Sequence, residues 1–333
     1  MSYVFSFAAA LLAVALLVPI VRRLALRSGF LDQPSARKVH TKPTPLLGGL
    51  AVLIGFLAAF LSGARLEEAD FSSSVVGFLL GGIWVFLVGL ADDRFGTGPL
   101  VKLPGQIIGC AILFFSGNTN GLITSAPLDL LFSFLWVVGM MNAVNFLDNM
   151  DGLAAGITFL AASGFFAISL LHGQTVPALI AISLAGAALA FLRFNFHPAS
   201  IFLGDAGSLF FGYALAALGI MSTWHMTSHS FLLVPVLILG YPIFDIGFVV
   251  LTRIARGRRI YLPGKDHSSH RLWTLLANVR GTAAVVYGVC FVLALLGVAL
   301  SFTSDRSFYW TALLLVATVS LWSGRRLARV PVE

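Results

Sequence analysis

Apolar runs of about 17 to 25 residues recur along this chain, and each is long enough to cross a bilayer as a helix. Eleven can be counted, near 3–21, 47–63, 74–91, 99–116, 128–145, 152–171, 176–192, 207–224, 231–252, 283–302 and 308–323. Charged residues make up only 11% of the 333, with a mean hydropathy of +0.94, whereas soluble domains carry roughly 25%. An all-α, polytopic integral membrane protein is therefore expected, as a single domain over 1–333. The first run leads straight into "VRRLALRSG" without a small-residue cleavage site, which predicts a retained helix rather than a signal peptide. Cys110 and Cys290 both fall inside apolar runs and read as packing residues rather than a disulfide.

Eleven spans put the termini on opposite sides, and the Lys/Arg bias orients them. If 22–46 is cytoplasmic, nineteen of the twenty-one Lys and Arg lie inside, leaving Arg65 and Arg306 outside. The expected topology has the N-terminus out and the C-terminus in. The cytoplasmic loops are then 22–46, 92–99, 145–152, 193–207 and 253–282.

The acids took no part in setting that frame, yet they follow it. "ADDRFGTG" (Asp92, Asp93), "NFLDNMDGLAAG" (Asn145, Asp148, Asp151), "FLGDAGS" (Asp205) and "GKDHSSHRL" (Asp266, His267, His270) all fall at helix ends on the cytoplasmic face. Taken singly, each has a plain structural reading. Asp92 and Asp93 could end a helix, Asp148 and Asp151 could cap the helix beginning at Gly152, and Asp205 could cap the one after it. Their joint placement favours a site, because carboxylates gathered on one face are costly unless something holds them there.

Such a group suits a divalent cation on a phosphorylated substrate. Mg²⁺ takes one or two carboxylates plus phosphate oxygens and water, and a helix N-terminus behind "GDAGS" favours negative charge. Zinc would want more His or Cys ligands. The stretch "RIARGRRIYLPGKDHSSHRL" can be read simply as a positive-inside loop attracting anionic lipid. It can equally clamp a diphosphate, with histidines in reach of phosphate oxygens. An enzyme so deep in the membrane implies a lipid as one substrate.

The same motifs resemble those of the polyprenyl-phosphate N-acetylhexosamine-1-phosphate transferases, the WecA, TagO and MraY types. The likeness runs through "DQPSARKVHTKPTPLLGG", "GLADDRFG", "NAVNFLDNMDGLAAG" and "FNFHPASIFLGDAGSLFFG", in that order. It implies transfer of a sugar 1-phosphate, N-acetylglucosamine 1-phosphate being the expected one, from a UDP-N-acetylhexosamine to polyprenyl (undecaprenyl) phosphate. UMP leaves, and the reaction uses Mg²⁺ or Mn²⁺ at the cytoplasmic face of the inner (plasma) membrane. By motif position, the resemblance makes Asp205 a metal ligand, with Asp151 beside it. Catalytic roles fall to Asp92, Asp93, Asp148, Asp151, His267 and His270. Substrate contacts fall to Lys38, Asn145, Arg193, Asn195, Arg258, Lys265 and Arg271. No nucleic acid is implied, and a homodimer in the lipid is compatible with it.

Where many members read His-x-His-His, this chain reads His267-Ser268-Ser269-His270. Ser269 can donate a hydrogen bond but cannot carry charge, which points away from the MraY type and towards the WecA-like branch. Asp245, in "GYPIFDIGF", is the acid expected well inside a span, either as a structural partner near the Pro242 helix break or as part of the site. The rival class is a transporter or lipid flippase, which would place ionisable groups near the midplane.

Overall fold

In the computed structural model, which describes residues 1–33, 43–119, 125–223, 230–259, 264–303 and 305–331, the apolar runs are helices. Backbone groups in hydrocarbon must find partners within their own segment. In chain order these are α1 (Ser2–Ser28), α2 (Gly48–Leu66), α3 (Ser73–Phe95), α4 (Pro99–Phe115), α5 (Ala126–Leu147), α6 (Leu153–Leu171) and α7 (Thr175–Asn195). There follow α8 (Gly204–Thr223), α9 (Ser230–Ile238), α10 (Gly240–Ala255), α11 (Ser268–Leu276), α12 (Val279–Ser301) and α13 (Arg306–Ala328). Among the described residues, nine of these helices are long and apolar enough to cross a membrane, and α4 is a shorter apolar helix. The chain is an all-α polytopic membrane protein, with one small addition. β1 (Leu31–Asp32) pairs antiparallel with β2 (Thr44–Pro45), Leu31 opposite Pro45.

Helix α8 is the axis of the molecule. Every residue of it except Asp205 is buried, and it packs against α2, α3, α5 and α6. Its sequence explains how: "GDAGSLFFGYALAALG" is rich in Gly, Ala and Ser, and small residues let helices in lipid approach closely. A Cβ on Gly49 of α2 would lie 2.5 Å from the Gly207 nitrogen of α8. Phe56, Phe78 and Phe210 fill the space beyond that crossing, with Phe56 5.4 Å from Phe210 and 6.2 Å from Phe78 between ring centres. Around this axis α1 lies on α2 and α7, α6 on α7, α4 on α3, and α12 on α6 and α9. Helix α13 is peripheral, touching α10, α11 and α12.

The span expected at 231–252 is not one helix. It breaks at Leu239, between α9 and α10. The break therefore precedes Pro242, which was expected to cause it. Pro242 sits in the first turn of α10, where its missing N–H has no partner to lose. The first helix also runs on past its apolar run to Ser28, closed by Gly29 at φ 68.

Candidate active site at the helix ends

The tip of α8 is held by a residue of another helix. Asp93, in the last turn of α3, accepts the backbone N–H of Asp205 (2.8 Å) and of Ala206 (3.0 Å). Two of the N–H groups left unpaired at the start of α8 are thus satisfied. The capping role considered for Asp205 belongs to Asp93, which leaves the Asp205 side chain to other partners. Asn145 donates to Asp205 Oδ1 at 2.7 Å and to Ser208 Oγ at 2.8 Å. Lys102 of α4 bridges Asp205 and Asp92, 2.8 Å from Asp92 Oδ2. Asp92 also accepts from the Thr97 hydroxyl (2.7 Å) and the Gly98 N–H (2.8 Å), which fixes the short α3–α4 turn.

Between α5 and α6, neither acid caps the following helix. The Gly152 N–H donates to Asn195 Oδ1 at 3.0 Å, and Asn195 donates in turn to the Ile201 carbonyl at 3.0 Å. Asn195 is 2% exposed with both ends of its amide occupied, so it ties two loops together. Asp151 Oδ2 lies 2.8 Å from His197 Nδ1 and accepts the Ala199 N–H at 3.0 Å. Asp148 stands in the middle of the acids. Burial and the neighbouring Asp205, Asp93, Asp151 and Asp32 push its carboxyl well above the usual carboxylate range.

The histidine segment closes the other side. Asp245, fully buried in α10, lies 2.8 Å from His267 Nδ1 through Oδ2 and accepts the Ser268 N–H (2.7 Å) and hydroxyl through Oδ1. Phe146, in the Asn-Phe-Leu-Asp run, meets His267 edge-on at 5.6 Å, and Ser269 donates to Asn149 Oδ1 at 3.0 Å. Arg253 grips Asp266 at 2.8 and 2.6 Å. Burial opposes ionisation of Asp266, but the hydrogen bonds and charge of Arg253 prevail and hold it below its ordinary range. Burial, helped by His267, pushes His270 down to about 4.

Asp92, Asp93, Asn145, Asp148 and Asp205 come together, with His267 and His270 joined to them through Phe146 and the Asn149–Ser269 bond. Asp151, expected as a second metal ligand, spends one oxygen on His197 and Ala199. Arg271 goes elsewhere. It is fully buried, donates to the Leu327 carbonyl at 3.1 Å and to that of Val330, and lies over the Phe248 ring at 5.3 Å. It closes the C-terminal end of α13. Arg193 and Arg258 are exposed, Lys265 is half-buried, and Lys38 lies outside the described residues.

Sequence reasoning passed over Lys102, His197, Asn149 and Ser208. Lys102 carried a signal. A cation in the first turn of a helix opposes the helix dipole, so a lysine three residues after Pro99 asked for an anionic partner. A divalent cation fits what is here. Among the described residues no three carboxylate, imidazole or thiol groups form a metal cluster, but Mg²⁺ needs only one or two carboxylates when phosphate supplies the rest. Asp92 and Asp205 offer oxygens only and already hold a positive charge between them. These two would hold the ion, which would neutralise a diphosphate.

Residues 75–223 match the model of glycosyl transferase family 4. The chain is 34% identical, over 89% of its length and 84% of the relative's, to a probable undecaprenyl-phosphate N-acetylglucosaminyl 1-phosphate transferase of Bacillus subtilis. It is 32% identical to a decaprenyl-phosphate N-acetylglucosaminephosphotransferase of Mycobacterium tuberculosis, over 80% of this chain and 74% of that one. A phospho-N-acetylmuramoyl-pentapeptide-transferase of Halalkalibacterium halodurans is 30% identical, over 82% and 88%.

Proposed function

The chain belongs to glycosyl transferase family 4, and from that premise we propose that it moves N-acetylglucosamine 1-phosphate from its UDP-sugar to a polyprenyl phosphate such as undecaprenyl phosphate. UMP is released, and the product is the first membrane-bound intermediate of a cell-envelope glycan. The observation that carries the reading is the meeting of Asp92, Asp205, Asn145 and Asp148 at the tip of one buried helix, with the His267 segment against them. The names of the relatives in B. subtilis and M. tuberculosis supply the sugar and the carrier class.

In this reading an oxygen of the lipid phosphate attacks the phosphorus that bears the sugar. The P–O bond to UMP breaks, the sugar–oxygen bond stays, and one phosphoanhydride replaces another. Such a transfer is mainly a matter of alignment and charge stabilisation. Asp92 and Asp205 would hold a divalent cation, which would supply positive charge against the diphosphate. Asp93 fixes Asp205 through the backbone of α8, and Lys102 stands ready to pair with phosphate. In this reading the nine long helices, α4 and the α9–α10 pair make eleven crossings, with the N-terminus outside and the site at the cytoplasmic face of the inner membrane.

Purified protein with polyprenyl phosphate, Mg²⁺ and UDP-N-acetylglucosamine should release UMP and yield a lipid-linked sugar. A panel of other UDP-N-acetylhexosamines tests the choice of sugar. No UMP from any of them would end the transferase reading and favour a carrier that moves lipid without chemistry.

A further inference from the structure

Asp245 is fully buried in α10 and belongs to none of the acidic motifs. A carboxyl group so far from water needs a reason, since an unpaired one is costly there. Two donors meet Oδ1, the Ser268 N–H at 2.7 Å and the Ser268 hydroxyl, and His267 Nδ1 lies 2.8 Å from Oδ2. Tyr241, one turn earlier on α10, lies 3.0 Å from Ser268 Oγ and completes the holding network. With Oδ1 already accepting twice, Oδ2 faces the imidazole as an acceptor, so the ring proton sits on Nδ1. The His267 ring is 5% exposed, and among the described residues Nδ1 makes its hydrogen bond. Among the described residues Nε2 has no hydrogen-bond partner, which leaves it for a ligand. Phe146, from the same run as Asn145 and Asp148, packs edge-on against the ring at 5.6 Å, so the ring stands beside that run.

We propose that Asp245 is a positioning residue, which holds one proton of His267 on Nδ1 and supports a second on Nε2, so that Nε2–H donates to a phosphate oxygen of the diphosphate substrate. A carboxylate behind an imidazole fixes its tautomer and orientation and supports positive charge on it when an anion approaches. The proposal rests on the diphosphate reading of the site. It explains why α10 starts afresh at Gly240, which brings Asp245 to the start of α11 rather than along a straight continuation of α9.

The test uses full-length protein in nanodiscs, with the Asp245→Asn, His267→Ala and double variants. Asparagine fills the same space, but with its oxygen kept by Ser268 it turns an NH₂ towards Nδ1, so the ring proton moves to Nε2. Asp245→Asn should lower kcat on the order of 100-fold, the scale of a misdirected proton-handling group, while KM for the UDP-sugar stays within about threefold. In the His267→Ala background the same change should cost little further, since coupled residues are non-additive. The ¹⁵N resonances of His267, assigned by their loss in His267→Ala, should show a protonated Nδ1 in the wild type and a bare one in Asp245→Asn. An equal loss in both backgrounds would overturn the proposal, because Asp245 would then act on structure alone. A bare Nδ1 in the wild type would overturn it whatever the activities of the variants. Absence of UMP release by the wild type would instead count against the transferase reading, and the ¹⁵N measurement would still decide whether Asp245 holds His267.

Discussion

At the scale of single residues, the site is a contest between burial and pairing. Asp205 has its oxygens on Asn145 and Lys102, so its replacement by asparagine keeps the size and loses the charge that holds a cation. Asp205→Asn should lower Mg²⁺-dependent UMP release at least about 100-fold, the order seen when one group that stabilises charge is removed. Binding of Mn²⁺, followed by electron paramagnetic resonance without substrate, should weaken with it. Undiminished Mn²⁺ binding would take Asp205 out of the ligand role. His270 predicts a pH effect on stability. Among the described residues its buried Nδ1 has no partner, and burial pushes its pKa from 6.5 down to about 4. Between those values the unfolded chain binds a proton that the folded chain refuses, so stability is full above about pH 6.5 and falls as the pH drops towards 4. At 1.36 kcal/mol per pKa unit the loss is on the order of 3 kcal/mol. Melting in detergent at pH 7 and pH 5 should show a lower Tm at pH 5, and His270→Gln should shrink the difference. The motifs themselves were legible here, because acids at apolar boundaries stand out. Which acid caps which helix was not, since the Asp93–Asp205 contact joins residues 112 positions apart.

At the scale of elements, the geometry of the site is the geometry of helix crossings. Asp92 and Asp93 sit on α3 and Asp205 on α8, and those helices touch at Gly89. A Cβ there would lie 2.5 Å from the Ala206 nitrogen and from the Asp205 carbonyl oxygen, both backbone atoms that cannot swing aside. Gly89→Ala should force α3 and α8 apart and pull Asp93 off the tip of α8. The expected result is a loss of about 1–3 kcal/mol, the usual toll of overpacking, together with loss of UMP release. A variant with normal Tm and turnover would mean that the crossing has slack. Gly204 adds a second constraint at φ +78, where a side chain would also meet Asp93 Oδ2 at 2.6 Å. The long helices were readable because hydropathy alone specifies them. The break at Leu239 was not, because "FLLVPVLILGYPIFDIGF" is apolar apart from Asp245 and its Pro242 points to a break three residues later. What divides it is tertiary: α9 lies mainly against α12, whereas α10 turns to α5 and α11. The partners of Arg271 were hidden for a related reason. A basic residue beside two histidines looks like a phosphate clamp, and nothing local reveals that the C-terminal carbonyls of α13 arrive to take it.

At the scale of the whole molecule, charge asymmetry and site placement are two views of one orientation. In the proposed orientation nineteen of twenty-one basic residues fall on the face that carries the acidic motifs, and a nucleotide-sugar would have to meet that face from the side where it is made. The membrane thus separates a polar reaction from the apolar tail of its acceptor, and α8 spans both worlds with Asp205 at one end and a fully buried shaft behind it. The native cysteines, Cys110 and Cys290, are buried, so single cysteines introduced at the surface can report which side is which. Asp70, in the α2–α3 connection, and Arg329, just beyond α13, are both exposed. In intact cells whose outer layers are open to small reagents, a membrane-impermeant maleimide should label Asp70→Cys and leave Arg329→Cys untouched until the membrane is broken. Both variants should retain UMP release, because neither residue touches the site. Labelling of Arg329→Cys in intact cells, with Asp70→Cys protected, would invert the orientation and put the acidic cluster outside, where no UDP-sugar is made. Equal protection of both would mean an even number of crossings, and the α9–α10 break would be the first place to look for a hairpin that enters the membrane without crossing it.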